Sequence, residues 1–184
     1  MKLLTYGFCL LFALPLMAQN TVDSSQLMKD IRTLSADKFE GRKTGTRGNR
    51  MAQFYILDRF KKIGIAAYHN TYEYPFSFQE GDKKIMGTNL YGYIPGKLGT
   101  VIVISAHYDH LGTKSGGKSQ DTVYNGADDN ASGIGGLLAI ATYFKAHPPR
   151  YTLIFAAFDG EEEGLQGAKA FVQQPPVPLA QIRQ

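Results

Sequence analysis

The chain has 184 residues, 43% of them hydrophobic and 20% charged, with a formal net charge of +4. That length suits one domain, and that balance excludes a disordered or fibrous chain. A single cysteine, Cys9, excludes a disulfide framework.

Lys2 precedes an apolar run from Leu3 to Met17, and Leu16-Met17-Ala18 closes on the small residue that a signal peptidase prefers. Residues 1–18 are therefore read as a cleaved signal peptide and 19–184 as the mature domain, exported to the periplasm or secreted. The run is shorter than the ~20 residues of a membrane-spanning helix, so no stable membrane insertion is expected. Cleavage removes Cys9, and with it any thiolate chemistry. Next, Asp23-Ser24-Ser25 offers an N-cap for a short helix in which Leu27, Ile31 and Leu34 recur at helical spacing. The basic residues Arg42, Lys43, Arg47 and Arg50 are read as a solvated loop and helix start. The cluster is short and lacks the aromatic residues that would stack on bases, so no nucleic-acid partner is expected.

A second helix is predicted over 47–63, with Met51, Phe54, Leu57 and Phe60 on its inner side and Tyr55 and Ile56 widening it. Lys61 and Lys62 suit the negative end of its dipole, and Gly64 can adopt the left-handed cap. Over 65–94 the period becomes two, most clearly at Tyr72, Tyr74, Phe76 and Phe78, and Glu80-Gly-Asp-Lys83 supplies a turn. This predicts a β-hairpin with a half-buried face.

Val101 to Ser105 is uniformly apolar, which predicts a strand covered on both faces. A helix over 131–146, with Ile134, Leu137, Leu138, Ala141 and Phe144 inward, stops at Pro148-Pro149. A buried strand over 151–158 and a helix over 161–172 follow. Alternation of strand and helix predicts an α/β fold of three αβα layers, with a largely parallel central sheet and an antiparallel hairpin beside it.

In such sheets ligands sit beyond the carboxyl ends of the strands. His107 and Asp109 follow one strand, and Asp159, Glu161 and Glu162 follow the other. Asp128-Asp129-Asn130 precedes the intervening helix and reaches the same edge only if the loop from Tyr108 to Ala127 folds back. An imidazole with several carboxylates suits Zn²⁺, and a carboxylate can bridge two ions roughly 3.5–4 Å apart. A carboxylate beside the ligands could take a proton from water, which suits adjacent Glu161 and Glu162. Taken singly, each residue has a bland explanation. Glu161 to Glu163 could favour a helix N-terminus, and Asp128 to Asn130 could cap a helix.

SAHYDHLG, NGADDNASG and FDGEEEGLQGA resemble the successive motifs of the M28 family of zinc aminopeptidases, as does LSADKFEGRKTGTRGNRMAQFYILDRFKKIGI upstream. The resemblance covers about Leu34 to Pro178. It implies peptide hydrolysis with two zinc ions. His107 would bind one, Asp129 would bridge both, and Glu162 would bind the other. Glu161 would be the general base and Asp109 would orient His107. Asp128 is not an expected ligand, and His110 and Asp159 receive no role.

The family adds an Asp after the next strand and a His much further on, and this sequence reaches Gln184 before either motif. The resemblance therefore implies the N-terminal part of a longer peptidase domain. Each ion would keep two protein ligands, with Asp129 counted twice, against the usual three. On that count these residues alone would bind zinc poorly and hydrolyse little.

Gly112 to Ser119 matches a phosphate-cradling pattern, but the required helix does not follow it, which argues against an NTPase. Two rival functions fit the same fold: a glutaminyl-cyclase-like acyltransferase with one zinc, and a binding module that uses the aromatic hairpin. The sequence does not fix the oligomeric state.

Overall fold

The computed structural model describes residues 22–114 and 121–183. The predicted signal peptide 1–18 and most of the 112–119 motif lie outside them.

Helix α1, Ser24–Leu34, starts on Asp23, whose Oδ1 accepts from the backbone N–H of Gln26 at 3.0 Å. An irregular turn, Asp37–Arg42, leads to α2, Arg47–Ile63. Thr46 caps the start of α2. Gly64, at φ 79°, ends it by donating its backbone N–H to the Phe60 carbonyl. The inner face of α2 is Ala52, Ile56, Leu57 and Phe60. Phe54, expected inside, is 56% exposed, and the Arg50 guanidinium covers its ring 4.5 Å from the centroid. The buried arc is centred one residue away from the predicted stripe and includes polar Asn49 and Gln53.

The sheet contains β1 (Ala66–Ala67), β2 (Glu73–Glu80), β3 (Lys83–Ile94), β4 (Leu98–His107) and β5 (Tyr151–Phe158). Its order is β1-β3-β5-β4, and β2 pairs with β3 as the predicted hairpin. Pairing is antiparallel except between β4 and β5. Those two are joined through α3, Gly133–Ala146, a crossover long enough to bring the chain back parallel.

Central β5 explains the fold best. Leu153, Phe155 and Ala157 point into one core with Leu34, Ile56, Phe60, Ile134 and Leu138, beneath α1, α2 and α3. Ile154 and Ala156 point into a second core with Tyr91 and Phe171, the latter on α4, Gln166–Gln173. A strand buried on both faces reads as a continuous apolar run, and helices on both faces give the three αβα layers. Truncating the fully buried Phe155 to Ala would cost about 3–5 kcal/mol.

Two expectations need correction. β4 is an edge strand with only Val101 fully buried, because β5 is its one ladder partner among the described residues. Along its outer side Ile182 bridges Val101, and the Arg183 N–H donates to the Val101 carbonyl at 2.9 Å. The predicted helix over 161–172 starts five residues late, at Gln166. Gly164 and Leu165 have φ of 86° and 61°, outside the right-handed helical region, so Glu161, Glu162 and Glu163 sit in a turn.

Candidate metal centre

Parallel strands that end side by side bring their following residues to one sheet edge. His107, the last residue of β4, pairs with Phe158, the last of β5. Asp109 is fully buried and ties the two ends together. Its Oδ1 accepts from the Glu161 backbone N–H and its Oδ2 from that of Glu162, each at 3.1 Å. The same Oδ1 lies 3.5 Å from His107 Nδ1, long for a hydrogen bond, and that nitrogen is buried without a hydrogen-bond partner. The other ring nitrogen, Nε2, faces 3.0 Å from Asp129 Oδ1 and 3.9 Å from Glu161 Oε2. Burial lowers the imidazole pKa, but Asp109, Glu161 and Asp129 outweigh it and the net shift is upward.

Asp129 reaches this edge because the described ends of the loop, residues 108–114 and 121–126, both return to it, and Arg42 holds them there. This guanidinium is 0% exposed. It donates to the carbonyls of Tyr108 at 2.8 Å, Leu34 at 2.7 Å, Asn125 at 2.7 Å and Gly126 at 2.9 Å. One end of the loop and the residues just before Asp129 thus hang on a single side chain. Burial pushes the Arg42 pKa down to about 10, with Asp109 and Asp129 opposing. The loop also crosses close over Gly41, where a Cβ would meet the Gly112 carbonyl oxygen at 2.1 Å. Reading the 42–50 basic cluster as wholly solvated is wrong for Arg42. Its cation is needed inside, where it pairs four carbonyls, of which that of Gly126 also accepts from the Ala131 N–H.

The same edge carries three further groups. His110 Nδ1 lies 2.6 Å from Glu162 Oε1. Asp159 is fully buried and accepts from Thr44 Oγ1 at 2.9 Å, Asn49 Nδ2 at 2.8 Å, and the backbone N–H groups of Thr88 at 2.9 Å and Gly160 at 3.0 Å. Burial raises its pKa, and the bonds from Thr88, Thr44 and Asn49 work against that rise. Glu163 is raised by burial and then by Asp109, while Lys43, 3.7 Å away, lowers it.

The structure thus brings His107, Asp109, Asp129, Glu161 and Glu162 to one edge. Glu161 to Glu163 do not serve a helix N-terminus, because α4 begins beyond them. Ser132 is the N-cap of α3, and Asn130 supports the helix start from two residues earlier, its Oδ1 accepting from the Gly133 N–H at 3.0 Å. Among the described residues the one group of three metal donors comprises His110, Asp129 and Glu162, whose donor atoms all lie within 4.8 Å of one another. Sequence reasoning gives His110 no role. Its signal is a second imidazole in His107-Tyr-Asp-His110, on the same loop as the first. Arg42 gives no local signal at all. Beside His107 and Glu161 a cavity of about 250 Å³ opens, lined also by Asn130, Phe158 and Leu165.

Imidazole nitrogens and carboxylate oxygens converging at a partly exposed edge are a donor set that suits zinc. Fold and donors together define an α/β protein built like a metallohydrolase. The chain belongs to peptidase family M28, whose model matches residues 89–184. It is 28% identical over 180 residues to the alkaline phosphatase isozyme conversion protein of Escherichia coli, covering 93% of this chain and 51% of that protein. The chain therefore spans about half the length of that relative. Among solved structures it resembles a Zn-dependent exopeptidase from Parabacteroides distasonis with TM-score 0.68 and 19% identity, covering 85% of this chain and 57% of that one. It resembles the Porphyromonas gingivalis glutaminyl cyclase with TM-score 0.73 and 18% identity, covering 88% and 59%. At such identities the likeness concerns the fold.

Proposed function

We propose that this protein is an exported, zinc-dependent aminopeptidase that removes N-terminal residues from peptides. In this reading His107 would hold one zinc ion, Asp129 would be shared with a second, and Glu162 would hold that one. The observation that carries it is the convergence of His107 Nε2, Asp129 Oδ1 and Glu161 Oε2, at 3.0 and 3.9 Å, over a cavity open to substrate. When bound, zinc supplies Lewis-acid polarisation of the scissile carbonyl and a water of lowered pKa.

The chain supplies the rest. Glu161, 37% exposed and without the hydrogen-bond cage that surrounds Asp159, is free to accept the proton of the attacking water at Oε2 and deliver it to the leaving amine. The water oxygen adds to the carbonyl carbon, the amide C–N bond breaks, and the two fragments leave as carboxylate and amine. Asp109 fixes the position of Glu161 and Glu162 through their backbones and stands behind His107, so that Nε2 faces the site. The cavity beside His107 receives the substrate's first side chain. Export rests on the 1–18 segment. Among the described residues no helix is long and apolar enough to cross a membrane.

The test is hydrolysis of unblocked peptides by the complete reading frame, with metal analysis of the same sample. Zinc-dependent release of free N-terminal amino acids is expected. Formation of pyroglutamyl ends instead would point to the acyltransferase, and zinc-loaded protein without either reaction would contradict catalysis.

A further inference from the structure

We propose that the cavity between α1, α2 and the second half of α3 is a ligand site for a small amphiphilic carboxylate, separate from the metal centre. The cavity measures about 540 Å³; Leu27, Ile63, Ala139 and Tyr143 wall it, and Arg59 and Lys62 join its lining. That volume falls in the roughly 300–1,000 Å³ range of small-molecule sites. α3 begins beside the Asp129 loop at Gly133 and rises ~1.5 Å per residue, so its cavity wall, Ala139 to Ala146, lies roughly 9–20 Å along the helix. The site therefore stands whether or not the metal reading holds.

Hydrogen-bond accounting identifies the ligand's head group. Asp30 is buried; its Oδ1 accepts from Gln26 Nε2 at 2.8 Å and from the Tyr55 hydroxyl at 2.5 Å, and its Oδ2 accepts from Arg59 Nη2 at 3.2 Å. Arg59 Nε lies 2.9 Å from Asp30 Oδ1 as an ion-pair contact, yet it is buried and makes no hydrogen bond. Nη1 makes none either among the described residues. A guanidinium carries five N–H donors, and this one spends a single N–H in a hydrogen bond. The other acid at the cavity, Asp23, is engaged as the cap of α1, accepting from the Gln26 backbone N–H at 3.0 Å. Donors outnumber acceptors here, and a carboxylate supplies two acceptor oxygens in the geometry that a guanidinium fork takes.

The rest of the ligand follows from the walls. Leu27, Ile63 and Ala139 offer no side-chain hydrogen bonds, so the body they receive is apolar. The Tyr143 ring is held flat against His147, with centroids 4.4 Å apart and planes 21° from parallel, and His147 Nδ1–H donates to the Tyr143 carbonyl at 2.9 Å. That wall is formed before any ligand arrives. A multiply charged anion fits poorly, because Asp23 and Asp30 stand nearby and Lys62 is shared with Asp58 at 2.7 Å. One negative charge on an aliphatic chain suits both the head and the walls.

The test is titration of the complete reading frame with sodium octanoate, followed by NMR of the Leu27 and Ile63 methyl groups and the Tyr143 ring, beside octylammonium of the same chain length. Saturable shifts of those signals are expected with octanoate, and at least tenfold weaker binding with octylammonium. Octanoate held by a metal ion would shift none of them. Arg59→Gln removes the charge and leaves an N–H for Asp30, and Ala139→Leu fills the cavity without removing a hydrogen bond. Each should weaken octanoate about tenfold or more, the scale of losing a hydrogen bond to a charged group. The Ala139→Leu spectrum should otherwise match that of the unsubstituted protein. No shift at these residues, equal affinity for octylammonium, or undiminished binding by Ala139→Leu would overturn the proposal. Binding that appears only once residues 19–21 are removed would make that segment the occupant and overturn it as well.

Discussion

Two polar clusters lie against the same two strand ends, and they are built in opposite ways. One consists of Arg42 and Asp159, both with 0% exposure. Arg42 is satisfied by four carbonyls and Asp159 by Thr44, Asn49, Thr88 and Gly160. The other consists of His107, Asp129, Glu161 and Glu162, partly exposed, with donor atoms converging on one another. A buried charge with every hydrogen bond made is architecture, since leaving it unpaired would cost several kcal/mol. Carboxylates gathered at an open edge around two imidazoles, with few other donors, are the arrangement the proposed metal centre needs. Proximity to the strand ends does not separate these groups; satisfaction does.

Substitutions should therefore split into two kinds. Arg42→Met should have the largest effect, a loss of about 5 kcal/mol in urea unfolding, because carbonyls from three separate segments lose their partner. A loss below about 1 kcal/mol would break the assignment of Arg42 to architecture. Glu161→Gln should lower peptide hydrolysis by about 10²–10⁴-fold while unfolding stability and zinc content stay level. An equal fall in stability would move Glu161 into the other cluster. Asp159→Asn should cost about 2–3 kcal/mol, since an amide has one acceptor oxygen and turns an N–H toward donors. Its zinc affinity should match that of the unsubstituted protein once folded. The smallest effect belongs to Phe54→Ser, within about 0.5 kcal/mol, because the ring is already in solvent and loses only its contact with Arg50.

What can be read in the sequence follows the same division. Periodicity exposes the helices over 24–34 and 47–63, the hairpin and the doubly buried β5, because those patterns are local. His107, Asp109, Asp129, Glu161 and Glu162 are legible because each stands at a boundary between elements. Arg42 is illegible, since its carbonyl partners at Tyr108, Asn125 and Gly126 lie 66, 83 and 84 residues away and a carbonyl leaves no trace in sequence. The late start of α4 turns on the left-handed backbone at Leu165, a residue with no special tendency to adopt it. β4 reads as an interior strand from its apolar run, yet here it lies at the sheet edge, where position depends on which strands pair.

The central claim is that the open cluster is a metal centre whose base is Glu161. Its most direct test measures zinc content and release of the N-terminal residue on one preparation each of the complete reading frame, its Glu161→Gln form and its Asp129→Asn form. The account predicts that Glu161→Gln keeps its zinc and loses turnover, whereas Asp129→Asn loses both. Full turnover by Glu161→Gln, or full zinc content in Asp129→Asn, would contradict it.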